Sequence, residues 1–400
     1  MRRPLFGFRT VLLLTLLSAV GLPLPGRAGA FVPRDGSQVL ETLRSTAFDP
    51  AARALRESRA RLTADPGNLD LACSVARVAI ERCRAEADPR YLGRAQAALA
   101  PWWELPAPPV EVLVLRATLK QSQHYFTNAL ADLDLAVRLS PRNAQVWLTR
   151  AAILTVLGDY PAARRACVPL AQLAPGLIGL TAAANVGSLN GEAERSNALL
   201  RQALAANPAA PVPEKAWAWT ILAEADARLG HLPEAETEFR NALALGQHDP
   251  YLLGAYADWL LAAGRAAEAV RLLQNEARAD GLLLRLALAE AAVSPRPPGF
   301  ADHVAALQAR FEAGHLRGDF VHQREEAWFL LHLRQQPREA LRLATANWAI
   351  QHEPVDARLL LESALAVGDL PAAAPALEFI QATHLEDREC EKLVRQLRAL

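Results

Sequence analysis

A 34-residue echo constrains this chain more than any other feature of its 400 residues. Val110–Asn143 aligns with Ala144–Gly176. Leu113 and Trp147 fall at the fourth place of each unit, Ala117 and Ala151 at the eighth, and Ala129 and Ala163 at the twentieth. Leu133 and Cys167 hold the twenty-fourth place, and Pro141 and Pro175 the thirty-second. Small residues at places eight and twenty let two helices approach closely, and larger ones at four and twenty-four fill the space beside them. Proline cannot continue a helix, so it ends one unit and opens the next.

The echo runs on. Leu177–Ala209 carries Leu180, Ala184, Gly191, Ser196, Leu200, Ala203 and Pro208. Ala216–Asp249 carries Trp219, Ala223, Gly230, Ala235, Phe239 and Ala242, and Pro250–Gly281 carries Leu253, Ala257, Leu260, Gly264, Ala269 and Leu273. Near the C-terminus, Pro354–Leu385 carries Leu361, Gly368, Ala373, Leu377 and Ile380. Glycine recurs between the helices of a unit, where a left-handed C-cap suits it. This spacing resembles the tetratricopeptide repeat. The resemblance implies an all-α, right-handed superhelical solenoid of eight to ten helix pairs, a fold that usually offers a binding surface rather than a reaction vessel.

The units divide the chain. Residues 31–68 are expected to form N-terminal capping helices, 69–209 a first run of repeats, and 210–281 a second run after the proline-rich linker Asn207–Glu214, a candidate bend. Residues 282–385 are degenerate repeats, broken by Pro295-Arg296-Pro297-Pro298, and 386–400 a C-terminal capping helix. The unit at 69–105 also departs from the consensus, with a long turn at 85–90.

Residues 1–30 are a different object. Arg2, Arg3 and Arg9 precede an apolar run at Thr10–Gly21, which is too short to span a bilayer comfortably, and Ala28-Gly29-Ala30 offers small residues where a signal peptidase reads. This reads as a cleaved signal peptide, giving a periplasmic chain that begins at Phe31 and does not insert in the membrane. Without the four arginines of that segment, 39 basic residues face 43 acidic ones, a net charge of −4. Nucleic acid and anionic lipid need a basic surface, so neither is the expected partner.

Reactive constellations are few. Cys73 and Cys83 lie ten apart on one expected helix, about 15 Å along its axis, too far for a disulfide. Cys167 stands at a core position and Cys390 in the last helix. Hydrolase and phosphate-loop motifs are absent from the sequence. His322 and Glu326 share a helix face four residues apart, but zinc needs further ligands at defined places. Asp132 and Asp134, and Glu234, Glu236 and Glu238, read as solvated charge runs. Trp102-Trp103 reads as a pair that caps a short helix against its neighbour. No cofactor, metal or catalytic residue is assigned.

The resemblance places the binding groove on the first helix of each unit, at places two, five, nine and twelve. The groove residues are then Glu111, Thr118, Gln121, Gln145, Thr181, Asn185, Trp217, Thr220, Glu224, Tyr251 and Asp258. The expected function is an exported scaffold that binds a protein or peptide partner of the bacterial envelope, without catalysis. The alternative is a metal-handling accessory, or an enzyme, with a site in the C-terminal third.

Overall fold

The structure is a computed structural model that describes Asp35, Ser37, 49–318 and 321–399. The signal-peptide assignment at 1–30 lies outside these residues. The chain divides into two units, Met1–Ser45 and Thr46–Leu400. In the first, the Ser37 amide donates to Asp35 Oδ1 at 2.8 Å. Everything below concerns the second.

That unit is an array of helices, with no strand among the described residues. α1 (Pro50–Ala64) precedes the first pair, α2 (Leu69–Glu86) and α3 (Arg90–Ala98), and a short α4 (Ala100–Trp103) follows. The pairs continue with α5 (Val110–Ser122) and α6 (Phe126–Leu139), α7 (Ala144–Val156) and α8 (Tyr160–Leu173), then α9 (Leu177–Ser188) and α10 (Ala193–Ala206). Next come α11 (Val212–Leu229) and α12 (Leu232–Ala244), then α13 (Pro250–Ala262) and α14 (Ala266–Leu273). α15 (Asp280–Ala292) and α16 (Phe300–Arg317) follow, then α17 (Gln323–Trp328), a π-turn at Phe329–Leu333, and α18 (Pro337–Trp348). α19 (Pro354–Val367) and α20 (Leu370–Thr383) form the last pair, and α21 (Arg388–Leu397) closes the array.

The repeat places explain why the pairs pack. Ala117, Ala129, Ala163, Ala223, Ala235, Ala257, Ala269 and Ala373 are wholly buried, as places eight and twenty require. Leu133, Leu200, Phe239 and Leu273 fill the gaps beside them. The fourth place is less uniform: Leu113 is buried, but Leu180 is exposed, while Leu177 and Thr181 turn inward in its stead. The inter-helix glycines 158, 191, 230, 264 and 368 all take positive φ, and His124 holds that place in the unit at 110.

Three expectations change. Val212–Glu214 belong to α11, so the proline-rich linker is shorter than read. One core joins Leu200, Ala203 and Leu204 to Ala218, Ile221 and Leu222 across it. Asp132 is buried rather than solvated, because α6 turns it onto α5. There Arg116 grips it with two bonds (2.9 and 2.7 Å) and Lys120 with a third (2.7 Å). Glu238 is buried too, beside Asp226 and under Arg201, whose Nε donates to it at 3.0 Å. The charge-run reading holds for exposed Asp134. It failed where a helix in an array has neighbours on more than one side.

Trp102 and Trp103 pack on the core of Val75, Ala79, Tyr91 and Leu115, as a capping pair should. Cys73 and Cys83 share α2, while Cys167 and Cys390 are buried. α21 plants Cys390, Leu393 and Leu397 in the core of α19 and α20, which makes it the expected C-terminal cap.

Candidate functional site: the inner face and its seam

The first helices of successive pairs touch in series: α5 on α7, α7 on α9, α9 on α11, α11 on α13 and α13 on α15. Together they form one continuous inner wall. Of the eleven predicted groove residues, Glu111, Gln121, Gln145, Asn185, Trp217, Glu224, Tyr251 and Asp258 keep accessible surface. Thr118, Thr181 and Thr220 do not. They are buried, and each hydroxyl donates to the carbonyl four residues back: Val114 at 2.9 Å, Leu177 at 2.8 Å and Ala216 at 2.8 Å. Their polar groups are spent within the wall.

The accessible residues are joined by a ladder of polar contacts. Tyr251 Oη donates to Glu224, 2.9 and 3.0 Å from its two oxygens. One helix further on, Arg285 forks onto Asp258 at 2.8 and 2.7 Å and lies 5.5 Å over the Trp328 ring. Arg324 then forks onto Asp356 at 2.6 and 2.8 Å and reaches Glu353 at 2.6 Å. Such bidentate pairs fix side-chain direction as well as adding energy.

Tyr251 exposes 57% of its surface, yet burial is the main cause of its raised pKa, followed by the Glu224 charge. The two facts describe a side chain in a wet recess enclosed by helices on several sides. Burial likewise pushes Glu224 up to about 7, opposed by Arg228 and by the Tyr251 hydroxyl, with Glu353 and Asp258 adding repulsion. Glu353 belongs to the loop before α19, so the far end of the array reaches the same recess.

It does so because the array winds back onto itself. The turn inside one pair meets the loop between pairs about five to six units later. At the turn after α2, Ala85 O accepts from His248 Nδ1 (3.1 Å) and Asp88 from Arg278 (3.3 Å). His124, in the turn after α5, has its pKa lowered by burial and then by Arg324, with Glu325, Glu353 and His322 also acting on it. At the turn after α7, the His352 amide donates to Val156 O (2.8 Å) and its ring Nδ1 to Leu157 O (3.0 Å). Phe379 packs on Tyr160, 5.9 Å between centroids. At the turn after α9, Glu386 accepts from the Ala193 amide at 2.9 Å, and α21 then packs on α11.

Glycine marks this seam. A β-carbon on Gly191 would lie 3.0 Å from His384 Cβ, and one on Gly230 would strike Arg388. Gly264 and Gly368 hold the same place and similar φ, yet nothing lies within 4 Å of theirs. No later turn of the array covers them.

His322 and Glu326 do not form a pair. His322 is exposed, and Glu326 instead bonds His315 at 2.8 Å. Among the described residues no group of three His, Cys, Asp or Glu side chains is placed to hold a metal ion. The sequence reading missed Arg228, Arg285, Arg324, Glu353 and Asp356. Four of the five stand in the degenerate or capping positions of late repeats, where no consensus assigns them to the inner face.

No family model matches the chain, and no curated protein matches it. Solved structures with related helix arrangement include the APC/C hetero-tetramer Cut9–Hcn1 (18% identity over 80% of this chain and 60% of that one, TM-score 0.44). Others are a tetratricopeptide repeat protein from Parabacteroides merdae (16%, 72% and 98%, TM-score 0.37) and the type IV pilus biogenesis factor PilW (17%, 71% and 98%, TM-score 0.36). This chain spans about 60% of the length of the first of these. None of the three reaches a TM-score of 0.5, and the fold stands on this chain's own helix packing.

Proposed function

We propose, from the premise that this chain is a solenoid of tetratricopeptide-type helix pairs, that it is an exported scaffold holding a segment of an envelope protein against its inner wall. Binding is non-covalent and no catalysis is assigned. The observation that carries the reading is the Tyr251–Glu224 pair: an aromatic ring more than half exposed, oriented by a hydrogen bond to a neighbouring first helix, inside a recess that several helices enclose. Aromatic anchors in enclosed, partly desolvated places are where binding energy concentrates. Asn185 and Trp217 extend the accessible row toward earlier repeats.

The test is photo-crosslinking in living cells with a benzophenone amino acid at position 251 and, separately, at position 168. Val168 is 61% exposed on α8, a second helix of its pair, and reports the outer surface. A defined protein adduct from 251 and none from 168 supports the reading. Adducts from 168 alone would refute it. The location is tested on the same cells: the mature chain should be released with the periplasm and begin at Phe31.

A further inference from the structure

We infer that the C-terminal hairpin and cap, α19–α21, form a clasp that controls access to the inner wall, opening at the seam to admit the partner. This rests on the binding reading above and adds its regulation. Four observations support it.

The first is topological. Since the array touches itself about one turn later, the recess holding Tyr251 and Glu224 is closed on the side where Glu353, His352 and Glu386 meet the earlier turns. A folded partner, or one anchored at both ends, has no lateral path to that recess while the seam is shut.

The second is position in the array. An internal pair is held by neighbours on both sides, and moving it breaks two pair-to-pair interfaces. α19 and α20 have only one pair, α17 and α18, before them and α21 after them. Everything else holding them is the seam, so they can leave without displacing another pair.

The third is the nature of the seam. Its apolar part is narrow: Phe379, Ile380 and Leu385 on the cluster of Ala151, Leu154 and Tyr160. The rest is a few hydrogen bonds to turn carbonyls and to one helix-start amide, which water can replace when the seam parts. By contrast one continuous core runs from α15 through to α21, so the clasp stays anchored to the preceding pairs and parts only at the seam.

The fourth is the glycine pattern. Gly158, Gly191 and Gly230 are tightly covered by residues 352–388, whereas Gly264 and Gly368 are open. The covered turns belong to three consecutive pairs, α7–α8, α9–α10 and α11–α12. The clasp therefore covers three successive turns with one stretch of chain, Phe379 to Arg388, and can lift as one body.

Two measurements test it. The amides of His352 and Ala193 bond only across the seam, so hydrogen exchange at these sites reads its opening. They should exchange at least about a hundredfold faster than amides inside α19, such as that of Leu360, through local opening rather than global unfolding. Exchange of His352 and Ala193 only at the global unfolding rate would overturn the clasp.

The second measurement locks the seam. Gly191→Cys with His384→Cys places two β-carbons 3.0 Å apart, about half an ångström closer than a disulfide holds them, a gap that a small parting of the seam supplies. Cys83, the one native cysteine not fully buried, is first changed to Ser. Both new cysteines sit at positive φ, so the reduced form of the same double variant is the control for strain. The oxidised protein should lose the adduct from position 251 and recover it on reduction. An adduct of equal yield from the locked protein would overturn the clasp and show entry from an end of the solenoid. If the reduced protein and the unlocked parent both give no adduct at 251, the binding reading fails by itself, and the exchange rates alone decide whether the clasp opens.

Discussion

Phe379 lies directly over Gly158: a β-carbon at position 158 would stand 2.6 Å from its ring. Trp348 meets the same ring edge-on at 5.3 Å, and His352 stacks on it at 5.7 Å, so the ring has little freedom to retreat. The contact joins residues more than two hundred positions apart in a fold whose other contacts are mostly local.

That relationship predicts a matched pair of variants. Gly158→Ala and Gly264→Ala impose the same backbone strain, since their φ values are +72° and +71°. Only Gly158→Ala also overpacks the seam. It should destabilise the chain by about 1–3 kcal/mol more than Gly264→Ala in urea unfolding. Equal costs would mean that the seam is absent in solution.

The second prediction concerns Asp132. Removing its carboxylate strands Arg116 in a site where both side chains are less than a tenth exposed. Asp132→Ala should cost about 3–5 kcal/mol, whereas the exposed neighbour change Asp134→Ala should stay within about 0.5 kcal/mol. Thermal denaturation of the two variants distinguishes a buried ionic core from a solvated charge run.

The third is a pH dependence. Burial, then the hydrogen bond and charge of Asp226, push Glu238 up to about 8 from its ordinary 4.5. Between those values the folded chain keeps a proton that the unfolded chain has released. Stability contributed by this group is therefore full below about pH 4.5 and falls as pH rises toward about 8. Glu238→Gln, which fixes the neutral form, should flatten the fall in denaturation midpoint between about pH 5 and 8. Some slope will remain, because Glu224 and Asp356 are raised in the same direction, to about 7 and about 6.

The fourth separates the wall from what lines it. Thr181→Val keeps the shape and loses one hydroxyl bond to Leu177, costing about 1 kcal/mol with no effect on partner capture. Tyr251→Ala should do the reverse, leaving the melting temperature nearly unchanged while weakening capture. Capture assays on both purified variants, run beside their melting curves, would expose any wrong assignment.

The solenoid was legible because the small residues at places eight and twenty have a single use, the close approach of two helices. Ala117, Ala163, Ala223 and Ala257 are buried where that use requires. The groove was legible only in part. A repeat place gives the direction of a side chain on an isolated pair, and packing of the pairs in the array leaves Thr118, Thr181 and Thr220 buried instead. Arg285, Arg324 and Glu353 were illegible for another reason. Their partners are set by how adjacent pairs are rotated, or by the next turn of the superhelix, and neither leaves a periodic mark. The seam glycines stand out in the sequence, but a glycine that caps a helix and one that also lies under an aromatic ring look alike there.

An open solenoid is extensible: a unit can be gained or lost in its middle, and the remainder slides along without complaint. Here Gly158 meets Phe379, Gly191 meets His384 and Gly230 meets Arg388, so three successive turns lie under one ten-residue stretch of chain. Inserting a single pair between them would advance every later loop by one place and bring His384 over the wrong turn. The number of units between the two edges is thereby fixed, as teeth fix the gearing of two wheels, and this stretch of a repeat protein can vary residue by residue but not unit by unit.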